Sequence, residues 1–161
     1  MTSGAGRGEA KAYEDVSLAA AANHLLEECR MVLPGIQALF GFQLVAVFSS
    51  GFDALKSDGK ALHLVATALV AIAVALIMTP AALHRQTTPR RITADFIALS
   101  SRLLLLSMFP LAVGICIDFY LIARLMVDGA IALPLAIALF ALFMGLWYAL
   151  PRIRRARDTH T

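Results

Sequence analysis

Charged residues are scarce in this sequence. Asp, Glu, Lys and Arg make up 16% of its 161 residues, whereas an average soluble domain contains about 25%. Hydrophobic residues reach 60% of the chain, compared with about 45–50% in such a domain. This balance excludes an ordinary soluble domain, and the length allows one domain only.

Motifs for metal, nucleotide and catalytic chemistry are also missing. The two cysteines, Cys29 and Cys116, form no CxxC motif and have no histidine at zinc-finger spacing. There is no P-loop, no GxGxxG and no nucleophile–base motif. Only His24 and His84 could share one membrane level and bind haem, and nothing else supports a haem site. We therefore predict a protein that is not an enzyme and that needs no cofactor or metal.

Nucleic acid is an equally poor candidate partner, because no Lys/Arg-rich patch is interleaved with aromatic residues. The net charge is only +3. What matters is where the basic residues lie along the chain.

Long hydrophobic runs are what the sequence does contain, and they predict an all-α integral membrane protein. Each run reaches the ~20 residues that a helix needs to cross a bilayer, and each is far longer than a barrel strand. The predicted spans are about 34–53, 61–83, 97–126 and 130–150.

An amphipathic helix over residues 14–32 is expected to precede the spans and to lie on the membrane surface. Pro34 predicts a break near Leu33, since proline disrupts a helix interior. Residues 1–13 are predicted to be disordered. Residues 14–155 form the single membrane domain, and residues 151–161 form a basic cytoplasmic tail.

The basic residues predict the orientation. Eleven of the 14 lie toward one side: Arg7, Lys11, Arg30, Arg85, Arg90, Arg91, Arg102, Arg152, Arg154, Arg155 and Arg157. Lys56, Lys60 and Arg124 lie toward the other. Basic residues favour the cytoplasmic side, so both termini should be cytoplasmic. In the tail, Arg152, Arg154, Arg155 and Arg157 are candidates for binding anionic lipid head groups.

One polar stripe crosses the start of the first span. Glu27, Arg30, Pro34, Gln37 and Gly41 recur at steps of three and four residues, so they share one face of a continuous helix. Such a face is expected to meet protein or water rather than lipid.

The second glutamine of this span, Gln43, lies near the midpoint of the span and about 240° around the helix from Gln37. The two amides therefore do not share a face. Two interpretations stay open for both: hydrogen bonds between helices, or a path for conduction or binding.

The charges near the cytoplasmic boundary permit local pairs, His24 with Glu28 and Glu27 with Arg30. Arg102, early in the third span, could pair with one of the two glutamates. These charges form either a salt-bridge network that positions the helices or an entry site for a proton or cation.

Asp118 is the residue of the predicted spans whose insertion into the membrane costs the most free energy. It lies sixteen residues after Arg102, which is about 24 Å along a helix and places it near the outer interface. Lys60 or His63 enters the second span at a similar depth and could pair with it. An ionisable residue within a span suggests a functional site.

Two segments resemble a known family. The run LLEECRMVLPGIQALFGFQL contains Glu28-Cys29-Arg30, Gly35-Ile36-Gln37 and Gly41-Phe42-Gln43, and the second span ends in Pro80 with His84-Arg85. Together with the closing WYALPRIRR, they resemble a small bacterial four-span membrane protein family of unknown function, over about residues 24–155. Some members are labelled sodium/proton antiporters. The resemblance implies four spans in a bacterial inner membrane.

The sequence leaves two functions open. The first is a non-catalytic accessory or interaction protein of the membrane, with a homo-oligomer or another membrane protein as its partner. The second is an ion-handling protein, either a proton- or sodium-coupled carrier or an oligomeric channel. Its path would use residues of the polar network, namely Glu27, Glu28, Arg30, Gln37, Gln43, Arg102 and Asp118.

Overall fold

The structure, a computed structural model, describes residues 3–86 and 94–153, with side chains for Leu18 and residues 20–86 and 94–153. The described chain is helical and contains no strand. Its helices are α1 (Ser3–Ala46), α2 (Ser50–Asp53), α3 (Ser57–Gln86), α4 (Ala94–Met126) and α5 (Gly129–Met144). A π-helical turn, Gly145–Ala149, continues α5.

Four of these helical segments are long and apolar enough to cross a membrane: Ala20–Ala46, Ser57–Gln86, Ala94–Met126 and Gly129–Ile153. They contain 27, 30, 33 and 25 residues, and a bilayer core needs about 20. The predicted all-α class with four spans is therefore confirmed, although the bounds of the first span differ.

Helix α1 differs from the prediction at both ends and at Pro34. It runs without a break from Ser3 to Ala46, with Pro34 inside it. Residues 3–13, for which we predicted disorder, are part of this helix, and it ends at Ala46 instead of near residue 53. Membrane-spanning helices tolerate proline. Breaking such a helix would leave more backbone groups without hydrogen bonds, and each of these groups costs several kcal/mol in apolar surroundings.

Ser49 explains the end of α1. Its hydroxyl donates a hydrogen bond to the Ala46 carbonyl at 2.7 Å and accepts one from the Phe52 N–H at 3.3 Å. It therefore closes α1 and caps α2 with the same oxygen. Serine is among the residues best suited to this N-cap role, so the short helix α2 begins where α1 would otherwise have continued.

The chain divides into two compact units, and the first consists of residues 1–38 and 74–107. In its described part, α1 buries Ala22, Cys29 and Ile36. They recur every seven residues, the spacing of a helix that packs along one face. The α3 and α4 segments bury Ile77, Pro80, Ser100 and Ser107.

The second unit consists of residues 39–73 and 108–161. Small residues dominate its core: Ala66, Val70 and Ala73 on α3, Ala112 and Cys116 on α4, and Ala132 and Ala136 on α5. Small side chains allow spanning helices to approach closely. In this unit α3 and α4 approach each other closely at Gly114, where an added Cβ would lie 3.0 Å from Val70 Cγ2 and 3.1 Å from the Ala66 carbonyl oxygen.

Candidate functional site

A buried pair of ionisable side chains lies in the second unit. His63 Nδ1 is 3.2 Å from Asp118 Oδ1, and the two side chains are only 10% and 15% exposed. His63 was one of the two partners that the sequence offered for Asp118. The other, Lys60, places its Nζ 5.4 Å from the centre of the Phe52 ring, as in a cation–π contact.

The close approach of α3 and α4 brings this pair together. His63 lies three residues before Ala66 on α3, and Asp118 lies four residues after Gly114 on α4. Each residue is therefore about one helical turn from the contact. Because Gly114 has no side chain, the helix backbones lie close enough there for His63 and Asp118 to meet directly.

Gln43 is the third member of the cluster. Its side chain is buried, with the residue 4% exposed, and its Nε2 donates a hydrogen bond to Asp118 Oδ2. This bond joins α1 to α4, as the interhelical interpretation of Gln43 expected. The Oε1 atom of Gln43 is buried and has no hydrogen-bond partner among the described residues.

Both ring nitrogens of His63 face acceptors. Nδ1 faces the Asp118 carboxyl group, and Nε2 lies 3.0 Å from the backbone carbonyl oxygen of Gln43. A carbonyl oxygen can only accept, so the contact at Nε2 is a hydrogen bond when that nitrogen carries a proton. The contact between Nδ1 and Oδ1 is a hydrogen bond when a proton lies on either atom. When both hydrogen bonds are made, the pair holds two protons and has no net charge.

The cluster lies toward the end of the unit at which α2 connects α1 to α3. Gln43 is three residues before the end of α1, His63 six residues after the start of α3, and Asp118 eight residues before the end of α4. These separations correspond to about 5, 9 and 12 Å along the helices. The earlier end of α1 explains how Gln43, which we placed near mid-span, comes to lie beside Asp118.

A cavity of about 330 Å³ reaches all three residues. Apart from them its walls are mainly apolar, formed by Leu39, Phe42, Ala46, Phe52, Leu55, Leu121, Ile122 and Leu125, with Ser49 and Gly51 from the connection after α1. The volume is within the usual size range of small-molecule sites. The polar side chains among its lining residues are the three of the cluster and Ser49.

None of the other predicted site residues that the structure describes belongs to this cluster. Glu27, Glu28, Arg30, Gln37 and Arg102 are all exposed. Glu27 pairs with His24 at 3.8 Å, in place of the predicted pairs of His24 with Glu28 and of Glu27 with Arg30. No described residue forms an ion pair with Arg102, so the predicted network at this end is not formed within the described chain.

The basic tail is described only in part. Arg152 is exposed, while Arg154, Arg155 and Arg157 lie outside the described residues. Cys29 and Cys116 are free and buried. The described residues contain no group of three or more His, Cys, Asp or Glu side chains that could hold a metal ion.

These features define a small multi-pass helical membrane protein with one buried polar cluster. The chain belongs to the Family of unknown function (DUF6328), whose model matches residues 16–151. The family predicted from the opening segment and from the ends of the spans is thereby confirmed as a family of unknown function. Neither the curated proteins nor the solved structures include a match to this chain.

Proposed function

We propose that this chain is an ion-handling membrane protein that takes up and releases a proton at the His63–Asp118 pair. The observation that supports this most strongly is the position of the His63 ring, between a carboxylic acid and a backbone carbonyl oxygen. Histidine is the side chain whose ordinary protonation equilibrium lies nearest to physiological pH. A buried His–Asp pair therefore offers a site at which one proton can be gained or lost.

Proton loss would disturb the geometry of the cluster. With one proton removed, an unprotonated ring nitrogen faces either an ionised carboxylate or the Gln43 carbonyl oxygen, and two acceptors repel. The pair would also have a net charge of −1 in a buried position, which is costly unless that charge is compensated. The protonated and deprotonated forms therefore favour different arrangements of Gln43, His63 and Asp118, as a proton-coupled carrier requires.

The cavity supports access to the pair. It is lined by the cluster and by Ser49 and Gly51 in the connection after α1, and we propose that water or an ion reaches Asp118 from that connection. Such access is what a proton-exchanging site needs, and a polar cluster sealed in an apolar core would lack it. An ion coupled to this exchange would have to be a cation, because it must replace the positive charge of the proton that leaves the pair.

Proton flux into proteoliposomes tests the proposal. We expect purified protein to dissipate an imposed pH gradient, and Asp118→Asn to abolish this flux while keeping the fold. An asparagine oxygen can accept from Gln43 Nε2, and its amide can donate to a neutral His63 ring. Asp128→Asn is the matched control, since Asp128 is exposed and makes no side-chain capping bond. No flux from folded protein, or equal flux in both variants, would exclude proton transport.

A non-catalytic accessory or interaction role is the second candidate. It is favoured by the way the cluster joins α1, α3 and α4 within one unit, because such bonds stabilise packing without any transport. The same experiment separates the two candidates. The accessory role predicts no proton flux. It also predicts that the protein unfolds more easily once the cluster is disrupted, because the cluster then serves only to stabilise the packing of the helices.

The setting that we propose is a bacterial inner membrane with both termini in the cytoplasm. The bias of basic residues toward one side supports this orientation. The arginines after residue 151 are then placed to bind anionic head groups, each contributing about 1 kcal/mol near the surface. We propose no enzymatic activity, no cofactor and no nucleic-acid partner.

A further inference from the structure

One face of α1 presents exposed polar side chains within a candidate membrane span. It consists of Glu27, Arg30, Pro34 and Gln37, which are all exposed, and we call it the Gln37 face. The sequence predicted that this stripe would meet protein or water. The structure leaves it uncovered by the chain's own described residues, whereas Cys29 and Ile36, on another face of α1, are buried.

Gln37 gives this face its chemical character. It lies nine residues before Ala46 in the candidate span Ala20–Ala46, about 13 Å from the end of the helix. Its amide makes no hydrogen bond to a described residue. Lipid tails offer no hydrogen-bond partner, so an amide at this depth is stabilised by meeting another polar group. Glutamine commonly bonds across helices in membranes for this reason.

The spacing of the Gln37 face fits a second helix of the same kind. Steps of three, four and three residues are those of a coiled-coil seam, in which a polar residue at one position specifies the register. Two copies inserted with the same orientation present α1 in parallel. Gln37 then lies opposite Gln37 of the partner subunit, and each amide can both donate and accept.

The two charged layers of this face can neutralise each other in that arrangement. The symmetry places Glu27 opposite Glu27, and Arg30 opposite Arg30, of the partner subunit. Because these two layers are adjacent on the seam, each Glu27 also lies diagonally across from an Arg30 of opposite charge. The exposed surface of α5 is different, since its large exposed side chains are the apolar Ile131, Leu133, Leu135, Ile137 and Leu142. An apolar surface of that kind suits lipid, but the Gln37 face does not.

We propose that a second copy of this chain docks on the Gln37 face, forming a parallel two-fold pair with the Gln37 amides hydrogen-bonded at its centre. This self-association is independent of proton handling, because the face and the His63–Asp118 cluster share no residue. The pair places two copies of α1 side by side.

Cysteine cross-linking in native membranes tests the pair. We expect mild oxidation to convert Pro34→Cys, which keeps Gln37, into a reducible dimer and to leave Gly35→Cys monomeric. Gly35 is the matched control: it is exposed, has no heavy atom within 4 Å of an added Cβ, and lies about 100° around the helix from residue 34. The native thiols are buried and remain in both variants. Equal cross-linking of the two variants, or none of Pro34→Cys, would overturn the proposal.

Energy transfer between labelled copies in liposomes gives a second readout. Gln37→Leu keeps the volume of the side chain but removes its hydrogen bonds, so it should weaken association about three- to thirty-fold. Gly35→Ala should leave association unchanged. If Gln37→Leu associates as strongly as the unmodified protein, the face is covered by lipid and the proposal is wrong.

Discussion

His63 and Asp118 lie 3.2 Å apart between α3 and α4, and the contact that allows this distance is one helical turn away. Gly114 of α4 faces the Ala66 carbonyl and Val70 of α3 so closely that a Cβ would approach both to about 3 Å. The geometry of the ionisable pair thus depends on Gly114, a residue that has no side chain.

Replacing Gly114 should therefore destabilise the protein. Gly114→Ala places its methyl group against backbone and a branched side chain, and overpacking of this kind typically costs about 1–3 kcal/mol. Gly41→Ala is the control, because nothing lies within 4 Å of a Cβ there. In a helix interior the control change should stabilise by about 0.5–1 kcal/mol. Thermal unfolding in detergent measures both, and a shift of the same sign for the two variants would refute the packing argument.

The cluster should tolerate some replacements of Asp118 and not others. Asp118→Ala leaves Gln43 Nε2 and one His63 nitrogen buried without partners, at a cost of about 1–3 kcal/mol for each group. Asp118→Asn can keep both hydrogen bonds and should unfold within about 1 kcal/mol of the unmodified protein. Denaturant titration compares the two. If asparagine were as damaging as alanine, the ionised carboxylate itself would be required for folding.

The two glutamines of α1 should respond differently to replacement by leucine. Gln43→Leu removes the donor to Asp118 Oδ2 and should lower the free energy of unfolding by about 1–3 kcal/mol. Gln37→Leu alters an exposed side chain and should change the unfolding of the monomer by no more than about 0.5 kcal/mol. The comparison must be made at a protein-to-detergent ratio low enough to keep the protein monomeric. Equal destabilisation would show that Gln37 also packs within the monomer.

The proposed orientation predicts which ends of α3 can be labelled from outside the cell. A membrane-impermeant maleimide should modify Ser57→Cys in intact cells, and Arg85→Cys only after permeabilisation. Both positions are exposed and lie at opposite ends of one helix, while the native thiols are buried. Labelling of Arg85→Cys alone in intact cells would place both termini outside.

Hydrophobic runs predicted the four spans because apolar length is what a bilayer selects. The bounds of the first span were predicted less accurately. Pro34 suggested a break that the helix does not have, and the span was therefore placed seven residues too late at its end. The signal that could have corrected it is Ser49, whose hydroxyl closes α1 and caps α2.

The seven-residue error in the end of the first span explains why the sequence predicted only part of the cluster. Depth along α3 and α4 brought His63 into consideration as a partner of Asp118. Gln43 was placed near mid-span, about 10 Å from its actual level relative to the end of the helix, so its bond to Asp118 was not anticipated. The proton count on His63 depends on a backbone carbonyl, and side-chain spacing contains no information about that contact.

The proposed function requires that the His63–Asp118 pair holds two protons and exchanges one of them. Nitrogen and carboxyl NMR of isotope-labelled protein, with His63→Gln to assign the ring, observes both groups. We predict either a doubly protonated ring beside a carboxylate or a neutral ring beside a protonated carboxyl group, with one proton lost as the pH rises. A neutral His63 ring beside an ionised Asp118 at every pH between about 5 and 8 would contradict the claim.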